Sequence, residues 1–389
     1  MIKNELLKSV LTQTVFRVLS IINKVISKDD KLILLYTNMG FRDNIKAIYD
    51  YLIENGYNQQ YKILISSNES VIEKLPNNVR IISNMSGVKA YLKAGHVFYA
   101  FGRIPIYPTK NQYVVQMWHG TPFKAADEHQ LKTVPKEPYY TTMLISSAYF
   151  KTIVKKAHGL NDENIAICGQ PRTDVMFKNN IRYKELCGYE KVIIWMPTFR
   201  KSEILGYSDV KNEKSVIPVM RIEDYEEFNG WLKDRNVLLI VKLHPMEDIS
   251  RFKSMKLSNL MLLSHKSFND KKWDLYRLIS QCDAMITDYS SVFYDFMLLD
   301  RPLAFTVDDY DVYKNGRGFA VDNPDYLTAG YKIHNKEELK EFIEDLIKNN
   351  DLYKEQRNEV NKLVNTYNDG KQCERVLKIA NVKNGGKLA

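Results

Sequence analysis

The 389-residue chain has only four cysteines, Cys168, Cys187, Cys282 and Cys373. They show no CxxC spacing and no histidine partner pattern, so neither a disulfide framework nor a zinc module is indicated. Reduced thiols favour a cytoplasmic compartment. The chain also lacks any run of ~18 uncharged apolar residues, which disfavours a transmembrane helix. A Walker A loop, a G-x-S-x-G elbow and a zinc-ligand pattern are missing, so NTPase and serine-hydrolase readings have no support. Internal repeats and low-complexity segments are missing too.

What is present is ordinary for a globular protein: 44% hydrophobic and 26% charged residues. At roughly 150 residues per domain the length implies two to three domains, large enough to bury cores without covalent staples. The net charge of +9 is uneven. Residues 1–28 carry Lys3, Lys8, Arg17, Lys24 and Lys28 against Glu5 alone. At helical spacing Leu7, Leu11, Val15, Val18, Ile22 and Val25 share a face, flanked by Leu19 and Ile26 on one side and Val10 and Ile21 on the other. Lys3, Arg17 and Lys28 lie near its border. Arg17 interrupts the apolar part and no small-x-small site follows, which argues against a secretory signal. Two readings stand: an in-plane anchor on an anionic membrane, or an amphipathic helix packed on the protein's own core. The remaining charge is scattered and mixed in sign, with no RNP-like aromatic motif or long basic stretch, so nucleic acid is not an expected partner.

After residue 28 the chain alternates apolar strands with amphipathic helices. Strands are expected in KLILLYT (31–37), YKILISS (61–67), HVFYAFG (96–102), QYVVQMWHG (112–120), the start of MLISSAYF (143–150) and IAICGQP (165–171). A charged stretch, TDVMFKNNIRYKELCGYE, reads as helical and leads into a second series: KVIIWMPTFR (191–200), VLLIVKLHP (237–245), NLMLLS, AMITDYSS (284–291) and PLAFTVDD. Helices near 336–348 and 351–366 end the pattern. Such alternation predicts α/β architecture with parallel, doubly wound sheets. The expected domains are the basic helix 1–28, a Rossmann-like domain at 29–180 and a second at 181–389, the two facing a cleft.

Four unusual patterns each fall at the carboxyl end of an apolar strand, where open parallel sheets bind ligands. In Trp118-His119-Gly120-Thr121-Pro122, His119 is placed to accept a proton near neutral pH, and Gly120 permits close ligand approach. In Thr287-Asp288-Tyr289-Ser290-Ser291, either serine suits the N-cap of a helix running through Asp295, whose amides favour phosphate. Asp295 is placed to accept from polyol or sugar hydroxyls. Lys242 and His244, at the end of VLLIVKLHP, suit a pyrophosphate leaving group. Pro197-Thr198-Phe199-Arg200 is the fourth pattern, and Arg172, Arg200 and Arg317 are further phosphate candidates. Each taken singly also has a plain structural reading: a loop hydrogen bond, a capped core helix, a core histidine or a surface ion pair. Asp308, Asp309 and Asp311 read as a solvated loop, not as a metal site.

In order along the chain, QMWHGTPFK (116–124), GQPRTD (169–174), MPTFR (196–200), KLHP (242–245), TDYSSVFYDF (287–296), RP (301–302) and RGF (317–319) resemble the CDP-glycerol glycerophosphotransferases of teichoic acid synthesis. FRDNIKAIYDYL (41–52) is a weaker match to a segment near the family's N-terminus. The resemblance implies a GT-B-like arrangement, peripheral attachment to the cytoplasmic face of the membrane, and metal-independent transfer of a polyol phosphate without a cofactor. It places the base at His119, with His244 the second catalytic residue. It maps the donor pocket to Met117, Trp118, His119, Gly120, Thr121, Arg172, Pro197, Thr198, Lys242, Leu243, His244, Ser290, Ser291 and Asp295. The implied partners are a CDP-glycerol or CDP-ribitol donor, a lipid-linked glycan or growing-polymer acceptor, an anionic membrane surface and, compatibly, a second copy of the chain. Phe123-Lys124-Ala125-Ala126-Asp127 departs from the Lys-Lys-Ile-Gly-like sequence common in the family, and Tyr326-Leu-Thr-Ala-Gly330 replaces a Pro-Gly stretch. Two rival readings remain at this stage: a GT-B glycosyltransferase using a nucleotide sugar, and a non-catalytic scaffold of wall-polymer assembly.

Overall fold

The computed structural model describes residues 14–68, 74–125, 137–198, 201–202, 207–208, 217–243, 252 and 255–384. Two compact units emerge, the first formed by Met1–Gly120, His129–Asp174 and Thr366–Ala389, the second by Thr121–Glu128 and Val175–Asn365.

In the first unit seven strands form one sheet: β1 (Asp29–Tyr36), β2 (Lys62–Ser66), β3 (Val79–Ile82), β4 (Ala94–Tyr99), β5 (Tyr113–Gln116), β6 (Thr142–Ile145) and β7 (Ile165–Ile167). Their order is 3-2-1-4-5-6-7 and every ladder is parallel. A parallel sheet covered on both faces needs uninterrupted apolar strands, and Leu32 to Leu35 are all buried. One face packs on α2 (Asp43–Glu54) through Ile45, Ile48 and Leu52.

The second unit has six parallel strands: β8 (Lys191–Trp195), β9 (Val237–Lys242), β10 (Leu260–Leu263), β11 (Ala284–Thr287), β12 (Leu303–Thr306) and β13 (Tyr331–Ile333). Their order is 10-9-8-11-12-13, and β13 adds a strand at a place where the apolar pattern is too short to announce one. Its core gathers Ile193, Trp195, Phe228, Leu239, Ile286 and Phe342. The α/β fold with two parallel sheets therefore stands. All four cysteines are free, and Cys187 alone is exposed.

Three features differ from expectation. The stretch 173–190, expected to be helical, forms only short 3-10 turns, one within Pro171–Phe177 and one at Lys184–Leu186. There Asn180 Nδ2 donates to the carbonyls of Val175 (2.6 Å) and Lys178 (3.1 Å), taking backbone acceptors from a helical ladder. Asp309, expected in a solvated loop, is buried and accepts from the Tyr289 hydroxyl at 2.7 Å. A further helix, Gln372–Ile379, follows the last one expected and places Cys373, Val376 and Leu377 in the core of the first unit. Its free amino-terminal amides are taken by a distant carboxylate: Asp174 accepts from the amides of Gln372 (2.9 Å) and Cys373 (2.8 Å).

The described part of the basic helix is α1 (Val15–Val25); Lys3, Leu7 and Leu11 lie outside the described residues. It docks by its polar side. Ser20 and Asn23 are buried, while Val15, Val18, Ile21, Ile22 and Val25 are exposed. Asn23 Nδ2 donates to Gln112 Oε1 (2.7 Å) and to the Tyr107 carbonyl (3.0 Å), and Ser20 Oγ accepts from the Tyr107 amide (3.1 Å). No helix among the described residues is long and apolar enough to cross a membrane.

Replacing Asp174 with Ala leaves two buried amides without their acceptor. The expected loss is about 1–2 kcal/mol of stability, read as a lower urea midpoint at unchanged slope.

Candidate functional site

In each sheet the strand order reverses once, between β1 and β4 in the first unit and between β8 and β11 in the second. Connections diverge to opposite faces there and leave a crevice at the carboxyl ends of the strands. The described unusual residues of both units lie at the carboxyl ends of these strands and of their neighbours.

In the first unit, His119 follows β5 and stands at the surface, its ring stacked between Phe101, just past β4 (5.2 Å, interplanar 4°), and Trp118 (4.3 Å, 27°). The edge of His158, the last residue of helix Lys151–His158, meets the Trp118 ring at 4.7 Å. Trp118 holds φ at +60°, a left-handed conformation unusual for a bulky residue. Two contacts hold it there. Its amide donates to Gln116 Oε1 (3.1 Å), and its carbonyl accepts from Asn44 Nδ2 (3.0 Å).

Asn44 is fully buried at the start of α2 and joins two loops. Besides the Trp118 carbonyl, it donates to Gln170 Oε1 (2.6 Å) and accepts from the Arg172 amide (3.1 Å). Beside it, Arg172 Nη1 donates to Asp43 Oδ1 (3.0 Å) and Oδ2 (2.8 Å) and to the carbonyl of His119 (2.8 Å). The Arg172 side chain is 6% exposed, so its charge needs this compensation.

Desolvation by the neighbouring rings, followed by the Arg172 charge, holds the His119 pKa below the ordinary value, while Asp43 opposes the shift. His158 is driven lower, to about 4, by burial first and then by Arg103 and His119. Both shifts favour the neutral imidazole at pH 7, and His119 is the more accessible of the two.

In the second unit, Met196-Pro197-Thr198 leaves β8 at the reversal. The Thr198 amide (2.7 Å) and hydroxyl (2.9 Å) both donate to Asp288 Oδ2, just past β11. Thr287 Oγ1 donates to the Met196 carbonyl at 2.9 Å. These bonds pin the two strand ends that flank the crevice. Ser291 stands at the N-cap of the short helix Val292–Phe296 but makes no side-chain capping bond, and Ser290 precedes it, half-buried. Asp295, within that helix, is 2% exposed and accepts from the Tyr276 hydroxyl at 2.6 Å. Lys242 ends β9 with its ammonium 5.3 Å from the centre of the Phe268 ring, and Leu243 is buried. His244, Phe199 and Arg200 lie outside the described residues.

Met117, Trp118, His119, Gly120 and Arg172 thus come together in the first unit, and Pro197, Thr198, Lys242, Leu243, Ser290, Ser291 and Asp295 lie at or near carboxyl strand ends of the second, which also contains Thr121. Sequence reasoning gave no role to Asp43, Asn44, Phe101, His158 or Asp288, although Asp288 lies within one of the four patterns and Asp43 and Asn44 within the weaker match at 41–52. Asp43 and Asn44 had a signal, being the polar pair that opens the helix after the first strand. His158 had none, since a histidine before a glycine reads simply as a helix end. Among the described residues no group of histidine, cysteine and carboxylate side chains is arranged to hold a metal ion.

The His119 ring is expected to titrate below 6.5 by NMR. Replacing Asp43 with Asn removes the larger of the two contributions that raise that pKa and leaves the Arg172 charge unopposed, so the midpoint falls further. An unchanged or higher midpoint contradicts this electrostatic assignment.

Residues 18–380 match the model of a family described as CDP-glycerol:poly(glycerophosphate) glycerophosphotransferase. A teichoic acid poly(glycerol phosphate) polymerase of Bacillus spizizenii is 27% identical over 342 residues, covering 79% of this chain and 82% of that protein. A teichoic acid poly(ribitol-phosphate) polymerase of the same organism is 24% identical over 335 residues, 80% of this chain and half (50%) of that protein. The solved structure of the wall teichoic acid polymerase TagF in a variant form superposes with a TM-score of 0.72 at 21% identity, covering 96% of this chain and 95% of that one. A form of the same polymerase soaked with CDPG gives 0.69 at 19% identity, with 96% and 94% covered. At these identities the structural likeness establishes the fold.

Proposed function

The chain belongs to the CDP-glycerol:poly(glycerophosphate) glycerophosphotransferase family, and from that premise we propose that it moves glycerol phosphate, or another polyol phosphate, from a CDP-activated donor to a lipid-linked glycan or growing polymer. CMP is released. The observation that carries this reading is His119: an accessible, neutral imidazole at a strand end, with its own carbonyl and that of Trp118 held by Arg172 and Asn44.

In this mechanism the acceptor's terminal hydroxyl oxygen attacks the β-phosphorus of the donor. The new P–O bond forms as the bond from that phosphorus to the bridging anhydride oxygen breaks, and CMP leaves with the electron pair. His119 takes the hydroxyl proton. Lys242, His244 and the amides following Ser290 and Ser291 offset charge on the diphosphate, in place of a divalent metal. Arg172 already serves Asp43 and the His119 carbonyl, so its part is to fix the base and add positive potential beside the transferring phosphate. Thr198 and Asp288 shape the donor loop by their mutual bonds. The reading includes a GT-B-like fold. It also includes peripheral attachment to the cytoplasmic face of the membrane through the exposed apolar side of α1.

Acceptor-dependent CMP release from CDP-glycerol and CDP-ribitol tests the class, and product length separates one addition from many. Full turnover in EDTA is expected. Replacing His119 with Ala should lower kcat by ~10²–10⁴-fold while donor binding changes little. Retention of full turnover by that variant overturns the base assignment. Release from UDP- or CMP-sugars instead of CDP-polyols overturns the donor assignment.

A further inference from the structure

At the end of the first sheet opposite His119, the amino ends of β1, β4 and β5 border a groove of ≈ 970 Å³. Its walls include Lys24, Lys28, Lys31, Lys110 and Lys383, against Asp30 as the one acidic lining residue. We propose that this groove binds the phosphate-bearing headgroup of an anionic membrane lipid. The proposal rests on the reading that the chain works at a membrane, and deepens it by naming where and what the surface recognises.

Other lysines of this chain find carboxylates: Lys46 with Asp50, Lys155 with Asp162, Lys336 with Asp224. Among the described residues the five groove lysines have no such partner. Lys28 is the most constrained, donating to Asn23 Oδ1 (2.7 Å) and to the carbonyls of Asn23 (2.8 Å) and Leu92 (2.7 Å). These neutral acceptors fix its position without neutralising it, and its partial burial leaves a charge poorly hydrated. Lys31 lies over the Tyr61 ring at 4.6 Å, again held without a counter-charge. A set of fixed cations in a concave surface attracts an anion, and the hydroxyls and amides of Thr109, Asn111 and Asn381 can bond its oxygens.

The choice of a lipid over a free phosphate comes from the neighbouring helix. Lys24 belongs to α1, one turn from Ile21 and beside Val25, and both of those apolar side chains are exposed, Val25 at 83%. A basic pocket continuous with an outward apolar stripe matches the two layers of a membrane boundary, phosphates above acyl carbon. A soluble phosphate has no use for the stripe.

The test is sedimentation of the full chain with vesicles of phosphatidylcholine alone and of phosphatidylcholine mixed with phosphatidylglycerol. Lys110→Ala combined with Lys383→Ala alters the groove alone, at two exposed positions, and Val18→Ser with Val25→Ser alters the stripe alone. The groove variant should lose phosphatidylglycerol affinity on the order of 25-fold, from the typical worth of one lysine near an anionic surface taken twice. Its weak binding to phosphatidylcholine should be unchanged, and the stripe variant should lose binding to both. If the groove variant binds phosphatidylglycerol like the unaltered chain, the headgroup site is wrong while membrane attachment stands. If the unaltered chain binds neither vesicle, membrane attachment itself fails and takes the site with it. If soluble glycerophosphate displaces the chain from vesicles at concentrations matching the lipid, the occupant is a free phosphate and the lipid assignment is overturned.

Discussion

A guanidinium removed from water has to be answered by charge, and in this protein the answer organises the loop that carries Trp118 and His119. Arg172 is buried, Asp43 neutralises it, and the remaining reach of the same nitrogen goes to the carbonyl of His119. Breaking such a pair by removing one partner typically costs 3–5 kcal/mol, because it strands the other charge. The pair thereby fixes the backbone of His119, next to the left-handed Trp118. Asn44 completes the knot by joining the loop after β5 to the loop after β7. The helix-opening pair after the first strand therefore controls residues about 75 and 130 positions further on.

The same topology is used twice. Both sheets are parallel throughout and reverse once; in the second unit Thr198 and Asp288 tie the two strand ends that flank the reversal, while in the first Asn44, after β1, ties to the Trp118 carbonyl after β5, one strand beyond it. Covering helices dry both faces of such sheets, so the strand ends are where polar chemistry remains available. Chemistry that needs a base in one place and anion stabilisation in another fits a chain with two such ends.

The α/β class was legible because buried parallel strands must be apolar along their whole length, and KLILLYT or VLLIVKLHP has no other comfortable reading. The strand-end residues were legible for the same reason: a histidine or aspartate directly after such a run has nowhere to be but at the crevice. The pairing of Asp43 with Arg172 was not, since an ion pair across 129 positions leaves no local pattern. Nor was the direction of α1. Hydrophobic periodicity reports that a helix has two unlike faces; it cannot say which one the protein keeps, and here Asn23 and Ser20 find buried partners while the valines do not. The final helix escaped because eight residues with a few apolar positions are weak evidence until Asp174 is seen capping them.

The chain leaves the first unit at Asp174 and returns to it at Thr366. Cys373, Val376, Leu377 and Ala380, contributed on the return, lie in the same core as Ile48, Leu52 and Ile63. During synthesis, which runs from the amino terminus, the first sheet is made early but lacks part of its core until the helix Gln372–Ile379 has emerged. The second unit is an unbroken run apart from one short segment and can close first. Completion of the first unit therefore waits on a helix encoded some two hundred residues after Asp174, whose apolar side chains fill part of that core.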